Sequence, residues 1–184
     1  MRVISGSARG RALEAVPGKD TRPTTDKVKE SVFNILQFRL YGASMLDLFA
    51  GTGQMGIEAL SRGAARAVFV DHAPKAVSVI RRNAEAAHVH DRAEILHLTY
   101  QQALQKLAGQ TFDVVFLDPP YGGELLNSAL KAVESFDILS SDGIIICESS
   151  ATDTIICPDT FAVRKTYRYG TICLTALGRR SQND

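Results

Sequence analysis

The chain has little of what would direct it to a membrane, a metal or an oxidising compartment. Its longest apolar runs, such as VVFL and IIIC, fall far short of a bilayer span, and the opening MRVISGSARG has no apolar segment of the kind that directs secretion. A soluble, cytoplasmic protein is expected. Cys147, Cys157 and Cys173 are odd in number, lack C-x-x-C spacing and lie in or beside strand-like runs. They read as small buried hydrophobes in a reducing compartment rather than as disulfides or metal ligands. His88 and His90 have metal-like spacing, but they sit in a polar connector with no third ligand, so they read as a solvated loop and no metal is expected. At 184 residues and 45% hydrophobic content there is material for one domain with a sizeable core and too little for two large ones. A large excess of charge is missing as well, since the formal net charge is +1. Any polyanionic partner therefore has to be argued from local charge. The first 22 residues carry Arg2, Arg9, Arg11, Lys19 and Arg22 against Glu14 and Asp20, which is either a solvated arm or a grip for a polyanion.

What is present is alternation. After a short hairpin-like start, TTDKVKESVFNILQFRL places Val28, Val32, Ile35 and Leu36 on one helical face, with Thr24 or Thr25 as the N-cap. Short β-rich runs then take turns with helical patterns: SMLDLF and QMGIEALSR, RAVFVD and PKAVSVIRRNAEAA, AEILHL and YQQALQKLA, FDVVFLD and LLNSALKAVESF, and lastly GIIICES. Strands joined by helical crossovers make a parallel sheet covered on both faces. The tail TFAVRKTYRYGTICLTALG has two strand-like runs joined tightly around Gly170, which predicts an antiparallel hairpin at one edge. The expected fold is α/β: a doubly wound, mostly parallel seven-stranded sheet with a C-terminal antiparallel hairpin and an N-terminal β-hairpin plus helix extension. Residues 1–184 read as one domain, with an extension over 1–42 and a core over 43–184.

In LDLFAGTGQMG, Gly51, Gly53 and Gly56 fit the dinucleotide fingerprint G-x-G-x-x-G, and Asp71 follows Gly51 by 20 residues. Asp47, four residues before the first glycine, disagrees with a dinucleotide. A pyrophosphate at the helix N-terminus would be repelled by a carboxylate beside it. S-adenosylmethionine has no phosphate and carries a sulfonium and an ammonium group, so Asp47 attracts it. The glycines then let the backbone approach the ligand, and Asp71 accepts hydrogen bonds from ribose hydroxyls under either cofactor. Asp47 could instead be a loop-bracing carboxylate. A second motif, DVVFLDPPYGG, places Asp118, Pro119, Pro120 and Tyr121 after the fourth strand. Paired prolines also mark ordinary turns. They lack N–H groups, however, so this loop presents only acceptors, which suits a substrate that donates, such as an exocyclic amine on a nucleobase. If the Asp118 carboxylate and Pro119 carbonyl each accept one hydrogen, the nitrogen lone pair is freed for in-line attack on a methyl group. Tyr121 would stack on the base.

The sequence resembles the class I S-adenosylmethionine-dependent methyltransferases, which are Rossmann-like, and within them the RsmD family of bacterial 16S rRNA guanine-N2 methyltransferases. RVISGSARGR, RPTTDKVKESVFNIL, LDLFAGTGQMGIEALSRGA, FLDPPY and YGTICLTAL carry the resemblance over essentially the whole chain. It implies methylation of the N2 amine of one guanine in 16S rRNA, within the small ribosomal subunit or an assembly intermediate, by a monomer. It also implies that the Arg22 to Asp26 segment, with Thr24, folds over the methionine end of the cofactor, and that Phe49, Thr52 and His72 line its pocket. Where such enzymes commonly carry an Asp or Asn at the adenine amine, this chain has Thr99 and Tyr100, so a hydroxyl or backbone group has to serve. RNA phosphates would fall to Arg2, Arg9, Arg11, Arg22, Lys27 and Lys29. Two other targets for the same chemistry remain, adenine in DNA and a protein glutamine, and so does a different class of enzyme, a nicotinamide-dependent oxidoreductase.

Overall fold

The computed structural model describes residues 1–18, 26–120 and 123–181. In chain order the elements are α1 (Asp26–Leu36), β1 (Ser44–Asp47), α2 (Gln54–Ser61), β2 (Arg66–Asp71), α3 (Pro74–Ala86), β3 (Ala93–His97), α4 (Tyr100–Lys106), β4 (Phe112–Leu117), α5 (Gly123–Ser135), β5 (Leu139–Ser150), β6 (Phe161–Tyr169) and β7 (Ile172–Arg179). They build one seven-stranded sheet in the order β3-β2-β1-β4-β5-β7-β6. The first five strands are parallel, while β7 runs antiparallel to β5 and to β6. This is the expected doubly wound sheet with its terminal hairpin. The N-terminal hairpin is narrower than expected, closed by a single bridge between Arg2 and Ala12.

Strands buried on both faces read as unbroken apolar runs, and alternate side chains divide between two cores. Met45, Phe69, Phe116 and Ile146 point into one, under α1, α2 and α3. Their neighbours Leu46, Val68, Val115 and Ile145 point into the other, under α4 and α5. Burial of each such side chain contributes about 1.5–3 kcal/mol.

The N-terminal segment is fastened to the sheet's helices. Val3, Ala8, Leu13 and Val16 are buried. Ile4 and Ser5 donate backbone N–H groups to Glu58 of α2 at 2.8 and 2.9 Å. Ala8 N donates to Ser61 Oγ at 2.9 Å, and Asn83 of α3 exchanges hydrogen bonds with the backbone of Glu14.

The strand order reverses between β1 and β4, where neighbouring crossovers leave in opposite directions and open a crevice at the strands' carboxyl ends. Candidate residues therefore gather there. Among the described residues, no helix is long and apolar enough to cross a membrane.

Candidate functional site

A cavity of about 920 Å³ opens at this switch point. Its floor comes from the ends of β1, β2, β4 and β5, which carry Asp47, Asp71, Asp118 and Glu148 respectively. Leu117 pairs with Cys147 in parallel register, so Asp118 and Glu148 follow side by side.

Asp47 is 1% exposed, lines the cavity, and its Oδ2 has no hydrogen-bond partner. Burial and the neighbouring Asp118 push its carboxyl up to about 8, against the opposing pull of the Gly56 backbone amide. Burial likewise raises Asp118 to about 6. Two carboxylates so placed resist ionising together. A buried acidic group with one oxygen unpaired in a cavity favours a cationic ligand and disfavours a pyrophosphate, so the residues present fit S-adenosylmethionine and not a dinucleotide. That answers the conflict between the glycine spacing and Asp47.

Asp71 holds the loop as well as facing the cavity. Its Oδ2 accepts from Gly51 N at 2.9 Å and its Oδ1 from Ala73 N at 2.8 Å. Each oxygen keeps a further lone pair, which leaves acceptor capacity for ribose hydroxyls. Gly51 and Thr52 line the cavity, the former at φ 57. Gly53 and Gly56 are the other two glycines of the motif. Neither lines the cavity. Gly53 starts α2 in a left-handed conformation at φ 76, and a Cβ on Gly56 would lie 2.3 Å from the Phe69 ring. Their missing side chains serve the turn and the close packing of α2 on β2.

Phe49, His72, Thr99 and Tyr100 line the far side. The Phe49 and Tyr100 rings lie 5.6 Å apart, making an apolar wall suited to a planar group. Thr99 Oγ1 accepts from Gln102 N at 3.3 Å and Gln102 Oε1 accepts from Thr99 N at 3.1 Å, a reciprocal cap of α4. Pro119 and Pro120 stand beside Asp118. Thr24, Arg22 and Tyr121 fall outside the described residues.

The basic residues divide. Arg2, Arg9, Arg11 and Lys27 are exposed, and Arg2 lies 3.6 Å from Asp26. Lys29 corrects the expectation of a phosphate contact. It is fully buried, donating to the Arg2 carbonyl at 2.5 Å and lying 3.7 Å from Glu58. Loss of solvent lowers its pKa, and Glu58 opposes that shift. Its charge faces inward because Glu58 needs a counter-ion, and Arg62 Nε also reaches Glu58, at 2.8 Å.

Sequence reasoning missed Met1, Glu148, Thr171 and Ile172, all of which line the cavity. Glu148 was legible: it is an acid near the carboxyl end of a strand, as Asp47 and Asp118 are. Thr171 and Ile172 were hidden, because only the antiparallel pairing of β7 brings the start of that strand to this end of the sheet.

Residues 1–178 match the family model described as "Conserved hypothetical protein 95". The chain is 44% identical over 150 residues to the putative rRNA methyltransferase YlbH of Bacillus subtilis, covering 80% of this chain and 82% of that one. It is 34% identical over 151 residues to ribosomal RNA small subunit methyltransferase D of Escherichia coli K12, covering 81% and 74%. Among solved structures, the putative methyltransferase yhhF from Escherichia coli superposes with a TM-score of 0.89 at 29% identity over 99% of both chains.

Proposed function

This chain belongs to the RsmD family of rRNA methyltransferases, and from that premise we propose that it methylates the exocyclic N2 amine of a guanine in 16S rRNA of the small ribosomal subunit. S-adenosylmethionine, when bound, supplies a methyl group on a cationic sulfur. Asp47 attracts that cation, Asp71 accepts from the ribose, and the Phe49 and Tyr100 wall packs on the adenine. These residues lie toward β2 and β3, which leaves the β4, β5 and β7 side for the base.

The observation that carries the guanine reading is the acceptor character of that side. Asp118, the Pro119 carbonyl and Glu148 stand at the ends of two adjacent strands. Guanine presents N1–H and N2–H as adjacent donors, whereas adenine offers an acceptor at N1. Asp118 and Pro119 each accept one N2 hydrogen, which localises the nitrogen lone pair for in-line attack. As the new N–C bond forms and the methyl leaves sulfur, Asp118 takes the surplus N2 proton and releases it to solvent. Glu148 accepts N1–H and sets the choice of base. Arg2, Arg9, Arg11 and Lys27 are exposed and can meet phosphates along the segment fastened to α2.

Replacing the target guanine in a ligated rRNA tests the reading. Inosine, which lacks the N2 amine, is expected to accept no methyl. 2,6-Diaminopurine keeps that amine but has an acceptor at N1, so it is expected to react at least about 10-fold more slowly than guanine, a typical price of an unpaired buried acceptor. Methylated inosine, or diaminopurine reacting as fast as guanine, contradicts it.

A further inference from the structure

Among the described residues, the sheet ends on a strand whose outer side is unpaired and whose charge is of one sign, β6, which pairs only with β7. Between Phe161 and Gly170 it carries Arg164, Lys165 and Arg168 and no acidic residue, and positions 163–166 are all exposed. Register divides its side chains. Lys165, Tyr167 and Tyr169 stand opposite Ala176, Leu174 and Ile172, on the side of the sheet that faces the core under α1, α2 and α3, and Arg168 projects from the other face. The Lys165 ammonium lies 5.0 Å from the Tyr167 ring centroid, which holds it along the strand. The next residues are part of the site, because Thr171 and Ile172 line the cavity just beyond the turn at Gly170.

We propose that the β6 edge is a phosphate track: the rRNA segment flanking the target base runs along this strand from the cavity mouth, held by Lys165 and Arg168. The inference rests on the RNA reading above. Charge complementarity selects the occupant, since a polyanion is the partner that a one-sign edge leading into an acidic pocket can accept outside while only the base enters. Lys165 and Arg168 are about 10 Å apart at strand rise and flank the open edge from its two faces, so each meets a different phosphate of a strand running along it. Outward-facing N–H groups of the edge strand add donors that carry no base preference. A purely protective role, in which the charges only block pairing with another edge, would leave RNA binding untouched.

The test is Lys165→Glu with Arg168→Glu, alongside the milder Lys165→Gln with Arg168→Gln, in rRNA binding across a salt series with S-adenosylmethionine binding as the control for folding. Both double variants are expected to keep cofactor affinity. The glutamate pair should lose at least about 10-fold in RNA affinity at low salt, and the glutamine pair should flatten the salt slope by about two, one per contact removed. If the parent binds rRNA with a steep salt dependence and both variants match it throughout, the track is overturned while the RNA reading stands. Self-association of the glutamine variant with RNA affinity unchanged also overturns it, in favour of edge protection. If the parent has no affinity for rRNA, the RNA reading falls first.

Discussion

Burying a carboxylate beside a second one destabilises the ligand-free fold unless one of them holds a proton. Asp47 is raised to about 8, above the ~3.9 of an unfolded chain. The folded state therefore binds the extra proton, and stability present at low pH is lost as pH rises from about 4 toward 8. Asp47→Asn removes that penalty. It is expected to raise the melting temperature of the ligand-free protein at pH 8 with little change at pH 4, and to weaken S-adenosylmethionine binding at least about 10-fold. Thermal scans at both pH values with binding titrations check both halves. The cation should also expel the Asp47 proton, so calorimetry near pH 7 in buffers of different ionisation enthalpy should show proton release on binding. Asp118 has a different signature. Raised to about 6, it loses its acceptor as pH falls through that value, so the single-turnover rate should rise between pH 5 and 7 and then level. Asp118→Ala should cut that rate about 100-fold or more with cofactor affinity nearly intact. A variant with normal turnover would remove Asp118 from the chemistry.

At the scale of elements, α2 is tied to α1 through charge and to β2 through a missing side chain. Glu58 on α2 is met by Lys29 of α1, by Arg62 and by two backbone amides of the N-terminal segment. Lys29→Met strips a buried counter-ion and should cost about 3–5 kcal/mol in denaturant unfolding. The RNA salt slope should not change, which separates this structural role from a phosphate contact. Gly56→Ala forces α2 off Phe69 and should cost about 1–3 kcal/mol, with weaker cofactor binding because α2 carries the glycine loop. Neither role could be read from sequence. The spacing of Gly51, Gly53 and Gly56 marks a tight loop entering a helix, but it does not tell a glycine that faces ligand from one that faces a phenylalanine on the strand beneath the helix. Lys29 sits in a basic stretch, and only its burial against Glu58, 29 residues further on, turns its charge inward. The strands and crossover helices were legible because each is a local pattern of alternation and period. Thr171 and Ile172 were not, because their place depends on long-range pairing.

At the scale of the whole molecule, the sheet sorts the cavity into two halves. Toward β2 and β3 lie Asp71, Phe49 and Tyr100; toward β4, β5 and β7 lie Asp118, Glu148 and Thr171. That partition predicts a cofactor and a base bound side by side, and calorimetric binding of S-adenosylmethionine with none of NAD. The packed N-terminal segment fits the same picture. Its exposed Arg9 and Arg11 stand on a backbone fixed to α2, so Arg9→Glu with Arg11→Glu should weaken rRNA binding at low salt and much less at high salt, where screening already removes the benefit. The most direct measurement is nucleoside mass spectrometry of 16S rRNA and small subunits incubated with the protein and methyl-labelled S-adenosylmethionine. The expected product is N2-methylguanosine at one position, absent with Asp118→Ala; label on the N6 of adenine, or none on RNA in either substrate, contradicts the account.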